Sequence, residues 1–307
     1  MKKNIFRSFL AGIAAVSMLA GAAGCSDPNK DADNKTGTTT APAATEAASD
    51  ETDADAAKEE ETKADAETED ESLSKVLGDK KLVLGLDASF PPMGFTDENN
   101  NIIGFDIDVA QEVCDRLGVE LVKQPINWDT KEEDLNVGKI DCIWNGMSIS
   151  PARADAMNLS EPYMKNEMIF AVPANSDIKT MDDLKGRTIG VQSGSTAQEI
   201  LEAADMYKDI KESPLEDNVT ALNQMELGFS DAVFLDSVVA NYFITSNNKD
   251  FVILPGNLEA EEYAIGFRKN DEALRNKVQE LLSEMKSDGK LGEISTKWFG
   301  SDITTVK

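Results

Sequence analysis

The chain has 307 residues, a formal net charge of −27 and no histidine. A protein this acidic is a poor candidate for nucleic-acid binding, because basic patches supply most of the affinity for phosphate backbones. The lack of histidine excludes histidine-based metal sites and nucleophile pairs of the Ser-His or Cys-His kind. We expect neither a metal nor a cofactor.

The first 24 residues have the anatomy of a secretory signal peptide. Lys2, Lys3 and Arg7 precede an apolar run over residues 9–19, and small residues follow it before Cys25. The run is about half as long as a membrane-spanning helix, which needs roughly 20 apolar residues, and no other segment of the sequence comes near that length. The rest of the chain is therefore expected to be soluble.

The tetrapeptide Ala22-Ala23-Gly24-Cys25 resembles a lipobox, in which the cysteine receives a diacylglyceryl group and becomes the new N-terminus. This resemblance implies a lipoprotein that is anchored through Cys25 to the extracytoplasmic face of the cell membrane. Ordinary signal cleavage beside a free cysteine is the alternative, since Ala22 stands where lipoboxes more often have leucine.

After Cys25 the composition changes abruptly up to residue 72. The stretch is rich in Thr, Ala, Asp, Glu and Lys, includes Pro28 and Pro42, and contains no large apolar residue. Such a segment cannot bury enough surface to offset the entropy of ordering. We interpret residues 25–72 as the lipidated cysteine followed by a disordered acidic linker. Repulsion between the negative charges of this linker keeps it extended. A cation-binding tail is the minor alternative.

Strand and helix patterns alternate in the first part of the remaining chain. The predicted elements are a strand over 81–86, a helix over 107–117, a strand over 120–125, a helix over 131–137 and a strand over 140–144. This βαβα rhythm indicates a parallel, doubly wound sheet. Ligands bind beyond the carboxyl ends of such strands, where Asp87, Asn145 and Gly146 fall.

A second unit repeats the pattern between two extended runs, 168–173 and 263–267. Its predicted elements are a turn over 182–186, a strand over 188–191, helices over 196–203 and 219–227, a strand over 232–236 and a helix from 237. A final amphipathic helix is predicted from about 272 to 286, and it ends near residues 298–299. We therefore expect one discontinuous lobe, 73–166 with 262–307, and one inserted lobe, 167–261. The cleft between the lobes is the expected ligand site.

Two cysteines, Cys114 and Cys142, fall inside a predicted helix and a predicted strand. Two buried free thiols are the default interpretation. A disulfide between them stays open, because the separation of their Cα atoms cannot be judged from the sequence.

Arg153 is the first candidate binding residue. It follows Ser150 and Pro151, which are good N-cap and first-turn residues, so its guanidinium is expected at a helix start. There it could form a bidentate pair with a carboxylate, helped by free backbone N–H groups. A surface arginine paired with Asp155 is the alternative.

The segment 193–198 is a turn of small residues that leads into a helix. Its hydroxyl and N–H groups, those of Ser195 and Thr196 above all, could receive the same carboxylate from the second lobe. Ser195 and Gln198 also have the spacing of a capping box, so a capped helix explains the segment equally well.

Asp236 closes an apolar strand, so its carboxylate is a plausible partner for an ammonium group, although it could also cap the next helix. Asp87, Phe90 and Trp128 lie in loops after strands of the first unit. Aromatic rings in such loops could flank the aliphatic part of a ligand, or they could pack beneath a long loop.

Short motifs along the chain resemble one protein family in combination. They are GFDIDVA at 104–110, LDASFPP at 86–92, NWD at 127–129, NGMSIS at 145–150 followed by Arg153, VQSGST at 191–196, and LD at 235–236. Over residues 81–300 the chain resembles family 3 of the bacterial extracellular solute-binding proteins. This family comprises amino-acid receptors of ABC importers, among them glutamine-, histidine- and lysine/arginine/ornithine-binding proteins.

The resemblance implies an α/β, two-lobed periplasmic-binding-protein-like fold of type II, with an inserted second lobe and a two-strand hinge. It assigns the α-carboxylate to Arg153 and the segment 191–196, and the α-ammonium to Asp236. It implies that Asp87 contacts the ligand and that Phe90 stacks on the ligand's side chain, with Trp128 in the position of the second aromatic residue. The ligand-binding residues it implies are Asp87, Phe90, Trp128, Asn145, Gly146, Ser148, Arg153, Gln192, Ser195, Thr196 and Asp236.

The function implied by the resemblance is capture of an L-amino acid by hinge closure, without catalysis, and its delivery to the permease and ATPase subunits of an ABC importer. The receptor is expected to be a monomer. Two departures from the family pattern bear on the ligand. Trp144 and Asn145 replace small residues, and Gln192 stands where some members carry lysine, so an acidic ligand side chain has less support.

Two alternatives remain. An enzyme on the same scaffold, similar to cyclohexadienyl dehydratase, would need a positioned general acid, and no second acid pairs with Asp87 or Asp236 in the sequence. A sensor domain would normally carry a transmembrane helix and an output module in the same chain, and neither is found in the sequence.

Overall fold

The computed structural model describes residues 70–307. The predicted signal peptide, the lipidation site at Cys25 and the linker up to residue 69 lie outside the described residues. Within the described part, none of the helices combines the length and the apolar character needed to cross a membrane.

The elements up to residue 160 begin with a short helix and then alternate. The helices are α1 (Ser72–Asp79), α2 (Phe105–Leu117), α3 (Lys131–Asn136) and α4 (Pro151–Ala156). The strands are β1 (Lys81–Leu86), β2 (Ser89–Phe90), β3 (Gly94–Thr96), β4 (Ile102–Ile103), β5 (Glu120–Pro125), β6 (Cys142–Ser148) and β7 (Asn158–Leu159). A 3₁₀ turn, Trp128–Thr130, precedes α3.

After residue 160, one long strand leads into the second lobe, another leads back from it, and two helices follow. The strands are β8 (Met164–Pro173), β9 (Thr188–Gln192), β10 (Lys211–Leu215), β11 (Ala232–Asp236), β12 (Phe251–Ile253) and β13 (Glu259–Phe267). The helices are α5 (Thr196–Ala203), α6 (Asn218–Glu226), α7 (Ser237–Thr245), α8 (Glu272–Ser287) and α9 (Lys290–Phe299). Two 3₁₀ turns, Met181–Leu184 and Asp205–Asp209, lie between strands.

Most strands join one mixed sheet in the order β10-β9-β11-β8-β13-β6-β1-β5. On one side β1 pairs in parallel with β5 and β6, and on the other β9 pairs in parallel with β10 and β11. Between these groups, β8 and β13 run antiparallel to each other and to their outer neighbours. The parallel groups are the sheets of the two lobes and β8 and β13 connect them. The predicted two-lobed fold with a discontinuous first lobe is confirmed, while the exact lobe boundaries stay a prediction.

The purely parallel sheet that the βαβα rhythm indicates is found only inside each lobe, because the two connecting strands return in the opposite direction. Other differences are local. The strand predicted at 140–144 runs from Cys142 to Ser148, and all seven of its residues are buried. The final helix is two helices, interrupted at Asp288 and Gly289. The edge strand β10 was not predicted, since its sequence KESPL carries almost no strand signal.

The core is built from aliphatic and aromatic side chains on the inner faces of these elements. Leu82, Leu84 and Leu86 of β1 are fully buried in the first lobe, and Phe170 of β8 packs on Phe234 of β11 with ring centroids 4.5 Å apart. Cys114 and Cys142 are free thiols, as the default interpretation had it, and both are buried. Burial raises the pKa of the Cys114 thiol to about 12, so this thiol is unreactive at neutral pH.

Candidate ligand-binding site

A single cavity between the two lobes gathers the residues that the sequence singled out. It is a narrow, partly enclosed space, lined by residues of both lobes. Met168 of β8 also lines it and was not predicted. The predicted residues that line this cavity are Asp87, Phe90, Trp128, Asn145, Gly146, Ser148, Arg153, Gln192, Ser195, Thr196 and Asp236.

Arg153 is a buried cation with an unused donor. Ser150 caps α4 by accepting a hydrogen bond from the Arg153 backbone at 3.3 Å, and Pro151 is the first helical residue, as predicted. The side chain is 4% exposed, so the interpretation as a surface arginine is wrong. Nη1 donates to the carbonyl of Ser148 at 2.8 Å, but Nη2 has no hydrogen-bond partner within residues 70–307. An unpaired guanidinium nitrogen at this depth is costly unless an anion binds it.

Asp236 lies at the end of β11, across the cavity, and uses one oxygen only. Its Oδ1 accepts hydrogen bonds from the Tyr263 hydroxyl at 2.6 Å and from Asn166 at 2.7 Å. Its Oδ2 accepts none from any described residue, and the side chain does not cap α7. Burial raises the pKa of Asp236 to about 6, although the two hydrogen bonds and the nearby charge of Arg153 act to lower it. A cationic ligand group would therefore find one free carboxylate oxygen here.

The turn before α5 combines a cap with a free hydroxyl. Ser195 accepts from the Gln198 backbone at 3.1 Å and donates to the carbonyl of Gln192 at 2.7 Å. The capped-helix interpretation of Ser195 is therefore confirmed. Thr196 follows it with a buried hydroxyl that has no partner within the described residues. The N-terminal N–H groups of α5 and this hydroxyl favour an anion at the same end of the cavity as Arg153.

Polar groups of both lobes also meet directly across the cleft, at Asp87 and Gln192. Asp87 accepts from the Ser89 backbone at 2.8 Å, and its second oxygen accepts from Gln192 Nε2 of the opposite lobe at 2.7 Å. Burial raises the pKa of Asp87 to about 6. Asn218 donates to Gln192 at 3.1 Å, and Asn145 accepts from the Asp87 backbone at 3.0 Å. A hydrogen-bond chain thus crosses the cleft from Asn145 to Asn218.

Three large apolar side chains complete the lining of the cavity. Phe90, Trp128 and Met168 are 5%, 8% and 1% exposed, so the rings are not simply loop residues in solvent. Gly146 has φ of +56°, and a Cβ on it would lie 2.7 Å from the Phe90 ring. Only glycine allows the ring to approach the backbone of β6 this closely.

Three residues behind Asp236 and Ser148 were missed by the sequence analysis. Glu261 is a buried carboxylate that accepts from the Ser148 hydroxyl at 2.8 Å and from Asn166 at 3.4 Å, and burial raises its pKa to about 7. Asn166 and Tyr263 hold Asp236 as described. All three lie on β8 and β13. The signal in the sequence that could have pointed to them is a polar residue inside an otherwise apolar strand.

The motif at 104–110 supports the site without touching the cavity. Asp106 of α2 is fully buried and accepts hydrogen bonds from the Gly146 backbone at 2.7 Å and from the Tyr163 hydroxyl at 3.0 Å. Burial raises the pKa of Asp106 to about 7, although these hydrogen bonds act to lower it. The acid therefore fixes the part of β6 that lines the cavity.

Comparisons with known proteins agree with this geometry. A family model described as "Bacterial extracellular solute-binding proteins, family 3" matches residues 82–301. The L-cystine-binding protein TcyJ of Escherichia coli is 30% identical over 234 residues, which cover 76% of this chain and 87% of that protein. The arginine-binding extracellular protein ArtP of Bacillus subtilis is 29% identical over 224 residues, covering 72% and 87%.

Solved structures resemble the described fold over most of their length. A substrate-binding protein of an ABC uptake transporter from Streptococcus pneumoniae, with bound histidine, has a TM-score of 0.75 at 36% identity and covers 77% of this chain and 99% of its own. The structure of Tv2483 bound to L-arginine has a TM-score of 0.74 at 31% identity and covers 77% and 98%.

Proposed function

Because the chain belongs to family 3 of the bacterial extracellular solute-binding proteins, we propose that it captures an L-amino acid and presents it to an ABC importer. The observation that carries this proposal is the pairing of two unsatisfied groups in one cavity. Among residues 70–307, Arg153 Nη2 is buried without a hydrogen-bond partner, and both hydrogen bonds to the Asp236 side chain go to Oδ1, none to Oδ2. A zwitterion with a carboxylate and an ammonium a few ångströms apart satisfies both.

In this binding mode the α-carboxylate lies between Arg153 and the start of α5. Its oxygens accept from Nη2, from the Thr196 hydroxyl and from the N–H groups of the first helical turn. The α-ammonium donates to Asp236 Oδ2. The ligand's side chain then extends between Phe90 and Trp128 toward Asp87 and Gln192. Relatives whose names specify arginine or cystine support a polar amino acid as the ligand.

We propose that binding is coupled to closure about β8 and β13, with 73–166 and 262–307 as one lobe and 167–261 as the other. The lobes touch in this structure outside the cavity, for instance where Phe95 meets Tyr242 with ring centroids 5.5 Å apart. A ligand shifts the balance toward closure only by binding the closed form better. Groups on both lobes, Arg153 and Asp236, supply that difference.

Placement outside the cytoplasm follows from the family, whose members are extracellular solute-binding proteins. We propose in addition that residues 1–24 are a signal peptide, that Cys25 is lipidated and that residues 25–72 tether a monomeric receptor to the membrane near its permease and ATPase partners. The lipobox-like sequence supports this proposal. Cys25→Ser should move the protein from the membrane fraction to the soluble fraction, and an unchanged distribution would contradict lipidation.

We propose binding without chemistry. Glu261 is the second acid that the sequence did not reveal, and it shares Asn166 with Asp236. It does not line the cavity, and its Oε2 is held by Ser148 and Asn166. These contacts support a role for Glu261 in holding Ser148 and Asn166 in place rather than in proton transfer.

The test is a thermal-shift and calorimetric screen of the full chain with the twenty L-amino acids and L-cystine. A ligand that binds only the folded state raises the unfolding midpoint. We expect a shift with one amino acid or one chemical class, and its loss in Arg153→Met. Arg116→Met is the matched control, because Arg116 forms ion pairs away from the cavity. No shift with any amino acid, or full binding by Arg153→Met, contradicts the proposal.

A further inference from the structure

Lys131, the first residue of α3, is a buried lysine at the boundary between the lobes. Its side chain lies behind Trp128 and does not line the cavity, and the residue is 4% exposed. Its Nζ donates to the carbonyl of Trp128 in its own lobe and to the carbonyl of Gly194 in the opposite lobe, both at 3.1 Å. Lysine is rarely buried to this extent without a specific role.

Groups of both lobes hold this side chain in place. Nζ lies 3.2 Å from a carboxylate oxygen of Glu132 and 5.2 Å from the centroid of the Trp128 ring. Burial lowers the pKa of Lys131 and so does the charge of Arg153, while the charges of Glu132 and Glu199 raise it. Glu199 belongs to α5, so the second lobe contributes both a hydrogen-bond acceptor and an attractive charge.

The acceptor in the second lobe is part of the turn that precedes Ser195 and Thr196. A hydrogen bond to the Gly194 carbonyl therefore fixes the position of this turn relative to Trp128. The backbone approach is close at the same place, since a Cβ on Gly194 would lie 3.0 Å from the Cα of Asp129. Lys131 thus joins the aromatic wall of one lobe to the carboxylate-binding turn of the other.

We propose that Lys131 is a positioning residue that holds the lobes closed over the bound amino acid. The inference rests on the proposed function, and it adds a residue that the ligand itself does not touch. When the lobes separate, the bond to Gly194 is lost and water solvates the ammonium. The bond therefore favours the closed form and slows release of the ligand.

The expected effect of Lys131→Met is a dissociation rate about tenfold higher, which corresponds to about 1.4 kcal/mol. Methionine keeps an apolar side chain of similar length but cannot donate to either carbonyl. Lys131→Gln serves as a second neutral variant if the methionine variant does not fold. Lys131→Arg retains a donor and should restore slow release in part. The matched control is Lys139→Met, because Lys139 is half-exposed and, among residues 70–307, its side chain pairs only with Asp134.

Two measurements decide the proposal. The first is the dissociation rate of L-arginine, L-histidine and L-cystine from the full chain, followed by tryptophan fluorescence. The second is the distance between spin labels at Val137→Cys and Leu227→Cys, which are 70% and 73% exposed and lie on different lobes. Cys25→Ser removes a competing thiol, while the remaining two cysteines are buried with raised pKa values.

We expect Lys131→Met to speed release and to shift the distance distribution toward the open form, with little change in the unfolding midpoint. Equal release rates and equal distances in Lys131→Met and Lys139→Met would overturn the proposal. If the unsubstituted protein binds none of the amino acids, the proposed function fails. In that case the distances between the spin labels, measured without amino acid, test the role of Lys131 in closure. The same distance distribution in Lys131→Met and in the unsubstituted protein would contradict that role.

Discussion

Gly194 offers a sharp test of lobe closure, because its missing side chain leaves room for the opposite lobe. Its φ is +64°, a conformation that glycine adopts most readily. A Cβ at this position would overlap Oδ1 of Asp129 and would lie 3.0 Å from the Asp129 Cα. The carboxylate can swing aside, but the backbone of Asp129 cannot, so Gly194→Ala should keep the lobes from closing fully.

The substitution has two separable costs. The left-handed backbone penalises alanine by about 1 kcal/mol whether the lobes are open or closed. The contact with Asp129 penalises only the closed form, and overpacking of this kind costs about 1–3 kcal/mol. At 1.4 kcal/mol for each factor of ten, the affinity for the amino acid should fall at least about fivefold.

A second glycine separates the two costs. Gly228 lies in the same lobe with φ of +80°, and a Cβ on it would meet nothing within 4 Å. Gly228→Ala therefore carries the backbone penalty without the contact across the cleft. Titration calorimetry should show weaker binding for Gly194→Ala only, while thermal unfolding should show similar losses for both variants.

A role of Gly194 in closure is contradicted if Gly194→Ala binds the amino acid as tightly as the unsubstituted protein, or if Gly228→Ala weakens binding equally. Combining Gly194→Ala with Asp129→Ala should recover little of the affinity, because the carboxylate can already swing aside and the contact with the Asp129 backbone stays.

The remaining predictions concern buried carboxyl groups. Burial raises the pKa of Asp87 and Asp236 to about 6 and that of Asp106 and Glu261 to about 7, so between pH 4 and 7 the folded protein holds more protons than the unfolded chain. The unfolding midpoint without ligand should therefore fall as the pH rises through this window, and a midpoint that rises instead would refute the assignment. Amino-acid affinity should change in the opposite sense, weakening as the pH drops below about 6, because the ammonium needs an ionised Asp236. Tyr263→Phe removes a 2.6 Å hydrogen bond that lowers the pKa of Asp236, so affinity should fall about fivefold at pH 6, or about 1 kcal/mol, and less at pH 8. Calorimetry at the two pH values checks this, and an equal loss at both would show that the hydroxyl acts without changing the charge of Asp236.

Much of the site could be located from the sequence because its residues follow strand ends in recognisable motifs. Asp87, Asn145 and Asp236 come directly after, or within, buried strands, and the carboxyl ends of parallel strands meet at one edge. Arg153 could be placed because Ser150 and Pro151 mark a helix start. These signals are local, so they survive in a single sequence.

The contacts that could not be predicted are those between residues far apart in the chain. Lys131 reads as an ordinary charge in the first turn of a surface helix, and only the approach of Gly194, 63 residues later, reveals why it is buried. Glu261 looks like one of several acids in the run 259–262, and only its alternation along β13 separates it from its exposed neighbours. Local patterns carry no information about which lobe a side chain meets.

The strand order sets how far each part of the cavity travels. β11 and β6, which carry Asp236 and lead to Arg153, lie next to the connecting strands β8 and β13. β9 and β1, which end at Gln192 and lead to Asp87, lie one strand farther out on either side, and adjacent strands are about 4.8 Å apart. A rotation about β8 and β13 therefore moves the outer pair through a longer arc than the inner pair. In the proposed binding mode Asp236 holds the α-ammonium near the axis, whereas Ser195 and Thr196, which follow β9, and the residues around the ligand's side chain lie farther out. A side chain that fits poorly between Asp87 and Gln192 would therefore stop the rotation before it is complete.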